Sequence, residues 1–360
     1  RFDARARLRF AMKIITLPEL CVRPHGASCR RCALACPVDA ISFPDDASAP
    51  VIDEERCTKC GICMGVCDAF TSSTTNTRRL YEHLRRVAMR GEIVYLTCKE
   101  NIFPGFKPAE NVTVLPCLAC IPPELWTLLL AENIPLCVAC DLHYCEDCDI
   151  APERGQMLYT HAMDLAQEWT GREIRYDREI PERQSKADMA LERYGRREAF
   201  GSLKNDALDV VSGRRSLKSS DALKEMYRTR ERRRMQEKLK LRDGEIINPH
   251  ADAGRTKRIM IPRRRMLLES IVAEGSVEDA VSLTISATDA HACIENHDCV
   301  KVCATGARSI SPETGDLDFD PKYCIGCGAC VNACAMGAVS LETVSARTFG
   351  LSDESQTELT

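Results

Sequence analysis

Two stretches constrain this chain more than any other: CTKCGICMGVC, Cys57 to Cys67, and CIGCGACVNAC, Cys324 to Cys334. Each places three cysteines with two residues between neighbours and a fourth after three more. Each is preceded by a second cysteine run, CRRCALACP from Cys29 to Pro37 and CIENHDCVKVC from Cys293 to Cys303. The spacers, residues 37–56 and 304–323, are 20 residues long in both copies. Both hold an acidic loop, PDDASAP and SPETGDLDFD, between short apolar pieces. Matched runs around matched spacers mark an internal repeat.

Cysteine is the compositional outlier, with 22 of 360 residues. In a reducing compartment such clusters mean metal rather than disulfides. The C-x2-C-x2-C-x3-C run lets one loop curl around a cube of iron and sulfide and bind three corners. The fourth cysteine points away and caps a neighbouring cluster. Zinc wants four tetrahedral ligands, usually two separated pairs, and this run crowds too many thiolates onto one loop. The repeat therefore predicts one ligand set of Cys36, Cys57, Cys60 and Cys63, and a counterpart of Cys303, Cys324, Cys327 and Cys330. Gly61, Gly326 and Gly328 leave room for backbone amides to approach the sulfides and tune them.

On these motifs the chain resembles the dicluster bacterial-type ferredoxin family over about residues 21–70 and 286–342. The resemblance implies 4Fe–4S clusters and electron transfer, with three such clusters expected. It also exposes two departures. In the first copy the leading cysteine would fall at Gly26. Cys21 lies close enough to substitute, with His25 as runner-up, so the second cluster there is expected on Cys21, Cys29, Cys32 and Cys67. In the last copy Asn296 occupies a ligand position, leaving Cys293, Cys299 and Cys334. Loss of that corner is the pattern of ferredoxins whose second cluster is 3Fe–4S. A non-cysteine fourth ligand, such as His297 or water, is one alternative. A half without a cluster, serving as scaffold for Cys303, is the other. Proline follows only Cys36; Asp68, Ala304 and Ala335 stand at the matching positions.

The middle cysteines follow another pattern. EIVYLTC, VTVLPC and IPLCVAC read as short strands ending at Cys98, Cys117 and Cys140. IPPELWTLLLAEN is a Pro-led helix. RLYEHLRRVAMRG is a helix with Leu80, Leu84, Val87 and Ala88 on one face. ERGQMLYTHAMDLAQEW is another, with Met157, His161, Leu165 and Trp169 at four-residue spacing. REIRYDREI alternates like an edge strand. Strand–helix alternation predicts a small domain with a largely parallel sheet, whose strand ends collect ligands. This region, about residues 92–175, resembles the iron–sulfur subunit that couples hydrogenases to heterodisulfide reductases. The resemblance implies one cluster, 2Fe–2S or another type, with Cys98, Cys117, Cys145 and Cys148 as the chosen ligands and Cys140 in reserve. Cys120 and Cys137 read as buried thiols. A zinc site and a thiol–disulfide pair are the alternatives.

The net charge of −4 hides an asymmetry. Residues 171–265 carry 27 Lys and Arg against 16 Asp and Glu, a local +11, and the remainder carries 22 against 37. The basic run RTRERRRMQEKLK reads as a solvated or partner-docking helix. Acidic residues interrupt it and only Tyr227 is nearby, so nucleic-acid binding is disfavoured. No apolar run is long enough to span a membrane. The start has no initiator Met, which leaves a fragment with a lost leader open; the apolar part present is too short and interrupted for a signal peptide, and the expected compartment is the cytoplasm. Walker, dinucleotide-binding, catalytic-triad and HExxH motifs are absent.

The expected fold class is α+β: a dicluster module at 1–75, an α/β cysteine-rich domain at 76–180, a charged helical linker at 181–285, a second dicluster module at 286–345, and a disordered tail at 346–360. The expected role is that of a non-catalytic electron-transfer protein in an anaerobic oxidoreductase complex of the hydrogenase, formate dehydrogenase or heterodisulfide-reductase type. Its partners would be other subunits or a soluble redox protein. A thiol/disulfide enzyme using the middle cysteines and a redox-responsive nucleic-acid-binding regulator are the alternatives.

Overall fold

The structure, a computed structural model, describes residues 13–74, 76–141, 143–146, 148–152, 154–183 and 258–349. The RTRERRRMQEKLK run, expected as a helix, most of the linker and the last eleven residues lie outside the described residues.

The first module comprises β1 (Ile14–Thr16), α1 (Arg31–Ala35), β2 (Ile41–Ser42), β3 (Val51–Ile52), α2 (Ile62–Val66) and β4 (Phe70–Ser72). β1 pairs antiparallel with β4, and β2 with β3. The helices are single turns because each sits between ligand-bearing loops.

The middle domain follows with α3 (Thr77–Ala88), β5 (Val94–Cys98), β6 (Val112–Leu115), α4 (Pro123–Ala131), β7 (Leu136–Ala139), α5 (His143–Glu146), α6 (Arg154–Thr170) and β8 (Arg175–Asp177). Its sheet runs β6-β5-β7-β8 with all neighbours parallel, as the alternation predicts. Asn76 caps α3 by accepting from the Arg79 amide, and Leu80, Leu84 and Val87 are buried as expected. α4 begins at Pro123, which needs no amide donor there, and Leu125 to Ala131 are all buried. An all-round apolar helix of this kind belongs in a core.

One expected face is wrong. On α6 the buried side is Tyr159, Ala162, Met163, Ala166 and Thr170, while Met157 is 61 % exposed and His161 is also exposed. The small Ala162 and Ala166 let α6 press closely on α4, which outweighs the larger residues a quarter-turn away.

The C-terminal part holds α7 (Pro262–Ala273), α8 (Val277–Ala280), β9 (Ser282–Thr288), α9 (Asp298–Lys301), β10 (Arg308–Ile310), β11 (Leu317–Phe319), α10 (Ala329–Ala333) and β12 (Val339–Ser345). β9 pairs antiparallel with β12, and β10 with β11. Residues 262–285, assigned to the linker by sequence, are instead packed: Leu267, Ile271, Val277 and Val281 form a buried cluster with Ala346 and Phe349. Those last two were assigned to the tail; here residues 346–349 form a 3-10 turn.

The first module and the middle domain share one continuous apolar core. α2 lies against the Leu118–Cys120 turn so closely that a Cβ on Gly65 would sit 2.1 Å from the Ala119 carbonyl oxygen. The C-terminal part joins them through Arg263, whose guanidinium makes two 2.9 Å bonds to the Glu124 carboxylate and one of 2.7 Å to the Val66 carbonyl. Asn332 on α10 donates to the Gly26 carbonyl at 2.9 Å. Residues 107–110 and 181–183 belong to a second unit, in which Arg183 pairs with Glu110 at 2.9 Å.

Candidate metal centres

In the C-terminal module the two cysteine runs close around two cavities. Cys303, Cys324, Cys327 and Cys330 line the first, together with Ser286 and Arg308. Cys293, Cys299 and Cys334 line the second, with Asn296 and His297 beside them. The backbone that wraps the first cavity requires glycine: Gly326 has φ +61, and a Cβ there would lie 2.6 Å from the Thr284 carbonyl oxygen. Asn296 is not aimed as a ligand. Its side chain donates to the Asp298 carboxylate at 2.8 Å and accepts from the Asp298 amide at 3.3 Å. Glu295 and His297 on either side both hold left-handed φ, 55° and 57°, a conformation that non-glycine residues adopt at a cost.

Arg308 lies between the cavities and is 1 % exposed. Its guanidinium donates to Ser286 Oγ at 3.0 Å, Thr288 Oγ1 at 2.7 Å and the Ala287 carbonyl at 3.2 Å, and it reaches Cys299 Sγ at 3.9 Å. Its amide reaches Cys303 Sγ at 3.5 Å. Burial pushes the Cys299 thiol up, and the Arg308 charge opposes that. Among the described residues no carboxylate pairs with Arg308. A buried permanent cation needs an anion close by, and thiolates holding a cluster are the anions this chain can offer. The residues present thus fit an iron–sulfur centre.

The first module groups its thiols in the same two sets. Burial pushes Cys32 up to about 12, and Cys67, Cys29 and Cys21 are near enough to add to it. Cys67, raised to about 11, is likewise raised by burial first, with Cys29 and Cys21 contributing. The other set appears around Cys63, whose thiol burial raises and which Cys60, Cys57 and Cys36 raise further. Cys21 arrives on extra chain. From the end of β1 to Cys29 there are 12 residues, 17–28, whereas from the end of β9 to Asn296 there are seven, 289–295. The longer connection winds through 3-10 turns at Pro18–Leu20 and Arg23–His25 and buries Cys21 between them.

The middle domain brings together a set that differs from the expected one. Asn101, buried, donates to both Cys98 Sγ at 2.9 Å and Cys140 Sγ at 3.1 Å. The Tyr159 hydroxyl lies 3.6 Å from Cys145 Sγ. Cys140 bonds both neighbours: its hydrogen bond is the main cause that lowers Cys98 to about 6 and Cys145 to about 7, while Cys140 itself is raised. Cys148 lies near enough to feel Cys98. Cys117, one of the expected ligands, stands beside Cys120 and Cys60, with Cys98 as a lesser neighbour, and Cys140 takes its place in the group. Strand length explains the exchange. β6 ends at Leu115, two residues short of Cys117, whereas β7 delivers Cys140 directly to the carboxyl edge beside Cys98. Cys120 and Cys137 are buried, as expected.

Among the described residues no group of three or more His, Cys, Asp and Glu is arranged to hold a single metal ion. No described helix is long and apolar enough to cross a membrane.

Comparison with known proteins agrees with the geometry at both ends. Residues 27–70 and 292–338 each match the family of 4Fe-4S dicluster domains. A stretch of 55 residues, 15 % of this chain, is 38 % identical to a protein described as an uncharacterized ferredoxin from Methanocaldococcus jannaschii. That stretch spans 33 % of the relative's own length. The two ends of this chain, separated by more than two hundred residues, are 4Fe–4S dicluster domains.

Proposed function

We propose that the chain relays single electrons through a series of iron–sulfur centres and has no substrate reaction of its own. The observation that carries this is the convergence of Cys303, Cys324, Cys327 and Cys330, drawn from two separate stretches, on one cavity. When bound, such clusters supply one-electron exchange. The chain's part is to hold, space and tune them. Cys36, Cys57, Cys60 and Cys63 hold one 4Fe–4S cluster; Cys21, Cys29, Cys32 and Cys67 hold a second; Cys303, Cys324, Cys327 and Cys330 hold a third. Cys293, Cys299 and Cys334 hold a three-iron centre, consistent with an Asn296 side chain occupied by Asp298. The middle domain holds a further centre, 2Fe–2S or another type, on Cys98, Cys140, Cys145 and Cys148. Its parallel sheet, with thiols at the strand ends, supports the reading that the chain serves as a subunit of an anaerobic oxidoreductase of the hydrogenase, formate dehydrogenase or heterodisulfide-reductase type. The partners are then sister subunits or a soluble redox protein.

Anaerobic purification with iron and acid-labile sulfide counting tests this. Three cubanes, one three-iron and one two-iron centre add to about seventeen irons per chain. Zinc without labile sulfide would reject the reading.

One observation favours a second reading of the middle domain alone. Cys98, Cys140 and Cys145 lie within hydrogen-bonding reach, and the Cys140 hydrogen bond lowers Cys98 and Cys145, which suits direct thiol chemistry. Alkylation of Cys98 at mild pH without loss of iron would select it.

A further inference from the structure

The iron–sulfur reading above carries a consequence for the direction of flow. The repeat keeps its register in three dimensions. In the first module Ile41 pairs with Ile52, and in the second Arg308 pairs with Phe319, each residue 267 positions beyond its counterpart. An apolar side chain in one copy is therefore a guanidinium in the other, at the same point between the two ligand sets.

The surroundings of the buried arginines differ in the same sense. In the first module Arg23 donates to the carbonyls of Cys29, Asp45, Asp46 and Ser48, and the Asp46 carboxylate lies at 3.9 Å. Its guanidinium donates to no sulfur among the described hydrogen bonds, though it lies near enough to act on Cys21. Arg263, at the edge of that module, is held by both oxygens of Glu124, and its amide donates to Asp68, the neighbour of Cys67. In the second module Arg308 reaches Cys299 Sγ and has no carboxylate partner among the described residues. Arg264 follows the same pattern. It is 8 % exposed, donates through Nη2 to the Cys324 carbonyl, and its buried Nη1 has no hydrogen-bond partner. Among the described residues Arg23 and Arg263 each form an ion pair with a carboxylate, and Arg264 and Arg308 form none.

We propose that Arg308, seconded by Arg264, sets the centres of the C-terminal module at a higher reduction potential than those of the N-terminal module, so that electrons run toward the C-terminal end. A permanent positive charge beside a site favours an added electron there, and a low-dielectric interior preserves the effect. The electron comes from an external one-electron donor, and no covalent bond is made or broken. Arg308 is a potential-setting residue rather than a ligand.

The test is a redox titration of the anaerobic, fully loaded chain, followed by electron paramagnetic resonance, with dithionite and mediators. Signals lost in Cys324→Ser identify the C-terminal centres. The expected result is C-terminal midpoints above the N-terminal ones. In Arg308→Gln the C-terminal midpoints fall by at least tenfold in the oxidised-to-reduced ratio, about 59 mV for one electron, while the N-terminal signals in the same tube stay put. Arg308→Lys, which keeps the charge, recovers most of the shift. If Gln strips iron from the C-terminal module and Lys does not, the counter-charge role also stands. Unmoved midpoints in Arg308→Gln, or wild-type C-terminal midpoints below the N-terminal ones, overturn the proposal. So does equal loss of iron from the Gln and Lys variants, which would make Arg308 a scaffold. A wild-type chain without labile sulfide rejects the iron–sulfur reading itself, before any potential is measured.

Discussion

The two dicluster modules each depart from the full cysteine pattern at one position, and their surroundings there differ. The first lacks the leading ligand, at Gly26, and carries a longer connection between β1 and Cys29 that buries Cys21 against Cys29, Cys32 and Cys67. The second has Asn296 at the next ligand position: the asparagine turns to Asp298, and three thiols line the cavity, with His297 beside them. What the second module gains is charge, with Arg308 where the first has Ile41. On the proposed ligand sets, one copy of the scaffold makes good a site with chain length and the other leaves it open and adds a charge.

Five substitutions press on this comparison. The largest effect is expected at the ligands. Cys21→Ala should cost the first module one cluster, about four irons per chain, if the longer connection truly supplies a ligand. Asn296→Cys should do the reverse in the second module, adding about one iron and abolishing an oxidised-state paramagnetic signal. Iron counting and low-temperature spectra of the two variants, side by side, read both outcomes. Should Cys21→Ala keep its iron, the longer connection makes nothing good.

The next effect lies in the ligand loops. Lys59 and Gly326 are matched positions with left-handed φ of 63° and 61°. Gly326→Ala meets the Thr284 carbonyl and should destabilise the chain by about 2–4 kcal/mol. Lys59→Gly relieves a left-handed lysine and should stabilise by up to about 1 kcal/mol. Thermal unfolding under anaerobic conditions should move in opposite directions for the two.

The smallest effect concerns the contact between the modules. Asn332→Ala removes one exposed hydrogen bond to the Gly26 carbonyl, worth about 0.5–1.5 kcal/mol. Neither module's iron content should change, and protection of amides around Gly26 against hydrogen exchange should fall slightly.

Much of this was legible in the sequence, because ligand spacing is a local property. The runs around Cys57 and Cys324 predict the groupings the structure displays, and strand–helix alternation predicts the parallel sheet with thiols at its edge. What escaped was non-local. Whether Cys117 or Cys140 joins Cys98 depends on where β6 and β7 stop, and both strands read alike in isolation. The exposed Met157 on α6 shows the same limit: four-residue spacing finds a stripe of large residues, but close packing of two helices favours Ala162 and Ala166. The packed segment 262–285 was hidden by its charge, since Arg263 and Arg264 look like a solvated run until their carboxylate and carbonyl partners are in place. Arg308 had a signal that spacing alone does not weigh. Aligning the repeats residue by residue places it opposite Ile41, and a charged residue in a buried register position asks for an explanation.

The docking of Arg263 against Val66, Asp68 and Glu124 has a consequence for how the chain is made. A ribosome releases the first module long before it has synthesised the arginine that closes its flank. Until then Asp68 and Glu124 face water as an uncompensated acidic notch, and the segment that fills it must search across nearly two hundred residues of later chain. Contacts so distant in sequence form late and slowly. Assembly of this molecule therefore returns to where it began, with a late-made helix sealing its oldest domain.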